Sequence, residues 1–339
     1  MGLRIRFSPA DLGRVTVAER PDPLWEVLLA AHVLQTHDGP LVFGVWRRAA
    51  RARLDAPMRR LLAVTPARGY SPDFLTPAES AEGVEAGLEA VRRVPRTRLR
   101  RELDALPPER RELPWLRALA EGRARPLCDL ADAIAAFRLA LLAPYWPAVE
   151  RHLAADRSQR ATVVLRGGVD QLLATLHPSV QWRSPVLCLN HGSFDRDLHL
   201  DGRGLLLLPS FFCWEHPTVL RDPDLSPVLV YPVTHDPRWA VPPAEGARRE
   251  VAALIGRTRA AVLEATADGR CTTELARRVR TSPASASEHL KVLRETGLIT
   301  TRRDGTAALH ALSPLGRALL EGVPSEPPRP SARPPLRPA

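Results

Sequence analysis

Residues 272–306, TTELARRVRTSPASASEHLKVLRETGLITTRRDGT, constrain the fold more than any other stretch of the chain. Leu275, Ala276 and Val279 recur at helical spacing. Thr272 or Thr273 is placed to cap that helix, and Glu274 sits in its first turn, where the helix dipole favours an acid. Ser282 before Pro283 predicts a second helix start, because the hydroxyl caps and proline's fixed φ suits the first helical position. Ala286, Leu290 and Leu293 fall at i, i+4 and i+7, so one face of the second helix is core. Gly297 suits the left-handed residue that closes a helix. Leu298 and Ile299 then open a strand, Asp304-Gly305 is a hairpin turn signal, and Leu309 and Leu312 occupy the return strand. The stretch predicts a helix, a tight turn, a second helix and a two-stranded wing.

This ordered pattern resembles the winged helix-turn-helix of the ArsR/SmtB type of bacterial transcription regulators. The resemblance rests on SPASASEHLKVLRETGLI (282–299), on TTELARRV (272–279) and on the wing TTRRDGTAALHALSPLG (300–316). With a lead helix over 251–267 it covers under a quarter of the chain. It implies that the second helix enters the major groove, where base edges carry distinguishable donor and acceptor patterns. Ser282, Ala284, Ser285 and His289 are then the residues nearest the bases. Lys291 faces the DNA backbone, Arg302 and Arg303 place two cations in the wing, and Thr273, Arg277, Arg278 and Arg280 lie at the flank. Residues 248–321 hold 13 Lys and Arg against 8 Asp and Glu, a net +5, the sign that duplex binding requires. Glu288 lies opposite the core stripe. An acid there either accepts from a cytosine amine or weakens nonspecific attraction to phosphate.

Metal-sensing relatives of this type carry a cysteine pair ahead of an Asp-Leu on the first helix of the motif. Placing that Asp-Leu on Glu274-Leu275 leaves Cys271 and Thr273 in the two ligand positions, and one thiolate is not a soft-metal site. The second metal site of such proteins needs His and acidic ligands on the last helix, where SPLGRALLE (313–321) offers only Glu321. Neither a metal nor another cofactor is expected. The resemblance further implies a homodimer on a pseudo-palindromic operator, action as a repressor, and a dimer interface built from the lead and last helices.

The rest of the 339 residues allows a second, larger domain. No run of 18 apolar residues occurs and the first residues, MGLRIRFSPADLGR, contain no hydrophobic signal segment, so a soluble cytoplasmic protein with no membrane contact is expected. Four cysteines at 128, 188, 213 and 271 share no metal-like spacing and suit a reducing compartment. LRIRF (3–7) and VTVAER (15–20) read as strands. Helices are expected over 24–37, 43–54, 58–64, 78–94, 127–142 and 144–154, with 95–114 as an exposed, proline-rich connection. From residue 160 the reading changes to strands at 161–165, 185–189, 198–200, 204–214 and 226–233, with one helix over 168–176. Trp25, Phe43, Trp46, Trp115, Phe137 and Trp146 are expected in a core, with a ligand cavity as the alternative.

The expected organisation is therefore α+β. Residues 1–241 form a helical and mixed-sheet domain for effector sensing, dimerisation or protein contact. Residues 247–322 form the winged helix-turn-helix, and residues 323–339 a disordered Pro/Arg-rich tail. The expected partners are double-stranded DNA, a second copy of the chain and a small-molecule effector. Leu205, Leu206, Leu207, Leu208, Phe211, Phe212 and Trp214, near Trp182 and Tyr231, would wall an apolar effector pocket or simply form core. Two other readings stand beside regulation. The winged helix could serve as a protein-contact module, or Asn190-His191-Gly192-Ser193 with Asp195, Asp197 and His199 could form a catalytic or metal site. The second lacks a glycine-flanked nucleophile elbow and places only two ligands on a strand face, so no enzyme is expected.

Overall fold

The computed structural model describes residues 2–189, 195–240, 251–268, 270–304 and 307–321. The chain divides into two compact units, Met1–Ala240 and Val241–Ala339. In the first, β1 (Leu3–Arg6), α1 (Pro9–Leu12) and β2 (Val15–Val17) precede a helical run. That run is α2 (Pro23–Gln35), α3 (Pro40–Arg53), α4 (Arg59–Val64), α5 (Val84–Arg92), α6 (Arg96–Leu103), α7 (Pro108–Arg111), α8 (Pro114–Ala120), α9 (Ala124–Phe137) and α10 (Trp146–Ala174). Six strands follow: β3 (Val180–Arg183), β4 (Val186–Leu189), β5 (Arg196–His199), β6 (Leu205–Ser210), β7 (Thr218–Val219) and β8 (Val228–Pro232).

The first 17 residues bind the beginning of this unit to its end. β1 lies inside a sheet of order β3-β4-β1-β5, antiparallel to β4 and parallel to β5, with Ile5 opposite both Leu187 and Leu198. β2 is the edge of a second sheet, β2-β6-β8-β7, and runs parallel to β6 with Val17 opposite Leu207. Alternation along β1 turns Leu3 and Ile5 into one core and leaves Arg4 and Arg6 on the outer face. That core gathers Leu172, Leu173 and Leu187 around the first sheet, and a larger one packs α2, α3, α5 and α9 around Phe43, Trp46 and Phe74.

Buried carboxylates fasten the helices to the strand connections. Glu26 in α2 accepts from the amides of Phe211 (2.8 Å) and Phe212 (3.0 Å), just past β6. Asp11 accepts from Gly204 N (2.9 Å), just before β6. Asp73 accepts from the amides of Arg221 (3.0 Å) and Asp222 (2.8 Å), after β7. The amides of Gly204, Phe211 and Phe212 would otherwise be buried without partners.

Two expectations for this unit are corrected, and of the two readings of the aromatic run the structure has core packing. Residues 161–165 are helical, not a strand: α10 runs through them because Arg160 ties the helix to the Thr175 and Leu176 carbonyls (2.9 and 3.0 Å) and to Asp156 (3.2 Å). A short apolar run does not itself separate strand from helix, and the break comes at Gly168, at φ +66°. Residues 95–114 are not an exposed connection. Leu99, Leu103 and Glu102 of α6 are buried, and Glu102 accepts from Phe74 N (2.7 Å). Their prolines open helices rather than break them, with Pro95 at the cap of α6 and Pro108 and Pro114 in the first turns of α7 and α8. The aromatic residues of the proposed pocket separate. Phe212 stacks on Phe43 with centroids 5.6 Å apart, Phe211 meets Phe43 edge to face at 6.3 Å, and the space around them is filled by Trp46 and Trp239. Trp182 instead meets Phe7 at 5.2 Å, and the Tyr231 hydroxyl donates to Asp156 at 2.6 Å.

The second unit contains a helical turn over 251–255, α11 (Arg257–Ala265), β9 (Arg270–Cys271), α12 (Thr272–Val279), α13 (Pro283–Glu295), β10 (Ile299–Asp304), β11 (Ala307–Leu312) and α14 (Pro314–Glu321). The expected continuous lead helix over 251–267 is interrupted at Gly256, whose φ of +88° lies in the left-handed region, so α11 starts afresh at Arg257. Its core is Val262, Leu263, Leu275, Leu290, Leu293, Leu298 and Ile299. The tail over 323–339 and the segment 242–246 lie outside the described residues.

Candidate nucleic-acid interface

Backbone chemistry sets α12 and α13 against each other. The cap of α12 is Cys271, not Thr272 or Thr273. The Cys271 amide donates to the Glu274 carboxylate at 3.3 Å, and pairing of Cys271 with Leu309 extends the wing sheet up to the helix start. Thr272 is thereby freed for another bond. α12 ends on Arg280 in the left-handed conformation, φ +54°, and the chain turns at once into α13. There the Ser282 hydroxyl accepts from Ser285 N at 3.1 Å. Gly297 closes α13 at φ +72°: its amide donates to Arg294 O (3.0 Å) and that of Leu298 to Leu293 O (2.8 Å), a Schellman closure that swings buried Leu298 into the core.

With Ala286, Leu290 and Leu293 buried, helical spacing puts Ala284, Glu288, Lys291 and Glu295 on the opposite, exposed stripe of α13. Ser282 is exposed ahead of it. Its oxygen is occupied by the cap while its hydroxyl proton stays available to an acceptor. Ser285 and His289 are half-buried on the flank and face each other across 3.4 Å. Thr273, Arg277 and Arg280 are exposed along α12 and its end. Arg302 is exposed on β10, and the strand pairs out to Asp304 opposite Ala307. Arg303 pairs with Ala308 through its backbone, while its side chain, and Gly305 and Thr306 of the expected turn, lie outside the described residues.

Sequence reasoning missed the contact that ties wing to helix. His310, buried in β11, places Nε2 3.0 Å from the Thr272 hydroxyl of α12 and Nδ1 2.9 Å from the Thr301 hydroxyl of β10. Burial pushes the imidazole pKa down, and the nearby Arg294 adds to the effect. The only available signal was a histidine among apolar residues on the return strand, which does not say what it bonds to. Gly316 was missed as well: a Cβ there would lie 1.9 Å from the Leu298 carbonyl oxygen. The Ser313 hydroxyl donates to Gly297 O at 2.5 Å and accepts from Gly316 N at 3.0 Å, so α14 starts directly on the closure of α13.

The polar cluster of the enzyme reading is partly accounted for. Asp197 accepts from Arg4 (3.0 Å) and Arg6 (2.8 Å), and Asp195 from Arg4 (2.6 Å). Hydrogen bonds from Arg4 hold both carboxyls below the usual range. His199 shares the outer strand face with Asp197, and His191 and Ser193 lie outside the described residues.

Among the described residues no helix is long and apolar enough to cross a membrane. No curated protein and no solved structure matches the chain. Residues 120–237 match a family of unknown function (DUF5937), which spans α9, α10 and all the strands from β3 to β8. Residues 254–302 match a helix-turn-helix domain, which takes in α11, α12, α13 and the beginning of β10. With the geometry above, this makes the C-terminal unit a helix-turn-helix domain of the kind found in DNA-binding regulators.

Proposed function

We propose that the chain is a sequence-specific transcription regulator of the ArsR/SmtB type, a repressor that binds a two-fold-symmetric operator as a homodimer. The observation that carries this reading is α13 itself, anchored by three apolar residues on one face and bare on the other. In the groove, Ser282 and Ala284 approach base edges, Lys291 meets the backbone, and Glu288 selects or disfavours bases through its acceptor oxygens. Arg277, Arg280 and the wing cations Arg302 and Arg303 neutralise flanking phosphates. Dimerisation is supported by Leu254 and Leu315, 72% and 58% exposed, on the two helical segments that the family resemblance assigns to the interface. Effector control falls to residues 1–241, where a cleft of about 320 Å³ lies between residues 18–21 and Leu153, Ala154 and Arg157 of α10.

Selection of the full chain on a random duplex library, followed by gel shifts at two salt concentrations, tests the reading. Recovery of a two-fold-symmetric motif bound by two copies is the expected result. Enrichment of no sequence, with binding lost at moderate salt, would turn the winged helix into a protein-contact module.

A further inference from the structure

One hydrogen bond in the N-terminal unit joins a nucleophile to a base. His32, near the end of α2, places Nε2 2.9 Å from the hydroxyl of Ser71, 39 residues further on. Both residues are half-buried. The carbonyl oxygens of Ala67 and Pro66 also reach the imidazole. A carbonyl only accepts, so with Nε2 taken up by Ser71 these two oxygens assign the ring proton to Nδ1. The Nε2 lone pair then points at the serine, whose hydroxyl donates to it. Burial pushes the imidazole pKa below its ordinary 6.5, and Arg110 adds to the effect, so the ring is neutral at pH 7 and able to take a proton.

The loop that carries Ser71 follows α4 and is pinned on several sides. Gln35 donates to Thr65 O (2.7 Å), Arg68 pairs with Asp38 (2.8 Å), and the Arg221 guanidinium lies 4.9 Å from the centre of the Tyr70 ring. Gly69, two residues before the serine, adopts φ +93°, and a Cβ built on it would touch nothing within 4 Å, so the space beside it is open. The amides of Gly69 and Ser71 donate to no acceptor among the described residues. Backbone amides of this kind, the nucleophile's own included, are the donors that stabilise an oxyanion.

We propose that Ser71 and His32 form an acyl-transfer dyad that acts on small esters, with Ser71 the nucleophile and His32 its general base. Ser71 Oγ bonds to the ester carbonyl carbon and passes its proton to His32 Nε2; the bond from that carbon to the alkoxy oxygen breaks, and the alcohol leaves with the proton. Water then attacks the acyl-serine, giving a proton to Nε2 that returns to Oγ as the carboxylic acid departs. The Ala67 and Pro66 carbonyls hold the base in the required tautomer, the part of an orienting third group. The inference stands whatever the winged helix binds.

The test treats the full chain with a fluorophosphonate, which forms a phosphorus–oxygen bond to an activated serine and expels fluoride, and locates the adduct by peptide mass spectrometry. One adduct per chain, on Ser71, is expected, with none in S71A. H32Q keeps an acceptor for the hydroxyl but cannot take its proton, and should be labelled about 100-fold more slowly or less, the usual share of a general base. The wild-type rate should hold down to pH 6.5 and fall below it as His32 becomes protonated. Turnover of p-nitrophenyl acetate should follow the same order among the three proteins. No adduct, an adduct on another serine, or an H32Q rate equal to wild type would leave the bond as a tie between loop and helix and overturn the proposal. Should H32Q fail to fold, the wild-type profile decides: a labelling rate that falls at no pH below 6.5 at which the chain stays folded overturns it as well.

Discussion

Glu26 is the group whose replacement should be felt most in the N-terminal unit. Its carboxylate is buried between α2 and the end of β6, and it accepts from the amides of Phe211 and Phe212 at 2.8 and 3.0 Å. Glu26→Ala leaves two buried amides without acceptors, at about 1–3 kcal/mol each, so a loss of about 2–5 kcal/mol is expected near pH 5, where the contribution of the wild-type carboxyl is still present. Burial raises the carboxyl pKa from 4.5 to about 7, against the opposing pull of the two amides. The sign follows from proton linkage: a folded-state pKa above the unfolded one means that the fold binds the proton more tightly. The contribution is therefore fully present below about pH 4.5 and is lost as pH rises through about 7, a span corresponding to roughly 3 kcal/mol. Glu26→Gln is neutral throughout, keeps one acceptor oxygen and should lack this slope. All seven tryptophans precede residue 241, so tryptophan fluorescence during urea unfolding reports on this unit. The buried acids Asp22, Asp73 and Glu102, whose pKa values burial also raises, contribute with the same sign, and His235, pushed down to about 4, contributes with the opposite one. The wild-type-minus-glutamine difference isolates Glu26. Parallel pH profiles for the two proteins, or an alanine variant within 1 kcal/mol of wild type, would refute the argument.

Other outcomes follow from the winged-helix unit. Gly316→Ala should destabilise it by about 2–3 kcal/mol, because the added Cβ meets a backbone carbonyl rather than a flexible side chain; far-UV circular dichroism melting that leaves this unit unchanged would contradict the packing. Arg280→Gly should stabilise the unit by about 1 kcal/mol by relieving a left-handed non-glycine residue, while weakening DNA binding through loss of a cation. Melting and gel shift should thus move in opposite directions, and a variant less stable than wild type would count against the turn geometry. His310 should titrate below its unfolded value of 6.5, so its share of stability is complete above that pH and fades as pH falls through the folded value. An NMR titration placing this imidazole at or above 6.5 would show that it is not buried between Thr272 and Thr301.

The sequence by itself determined the parts whose causes are local. Ser282-Pro283 starts a helix because a hydroxyl and a fixed φ act within one turn, and Gly297 ends it because a left-handed residue is needed there. The burial of Ala286, Leu290 and Leu293 follows from spacing alone, and so does the exposure of the stripe proposed to meet DNA. Tertiary structure decided what depended on distant partners. Residues 161–165 carry β-branched side chains that suit a strand, yet Arg160 clasps carbonyls 15 and 16 residues later and the helix continues through them. The prolines of 95–114 mark helix starts because Leu99, Leu103 and Glu102 find a core to enter. The aromatic run after β6 became packing rather than a pocket because Phe43, Trp46 and Trp239 filled the space around it. Glu26, Asp73 and His310 look like ordinary polar residues in the sequence. Their roles come from amides and hydroxyls that folding brings within hydrogen-bond reach, which no local pattern encodes.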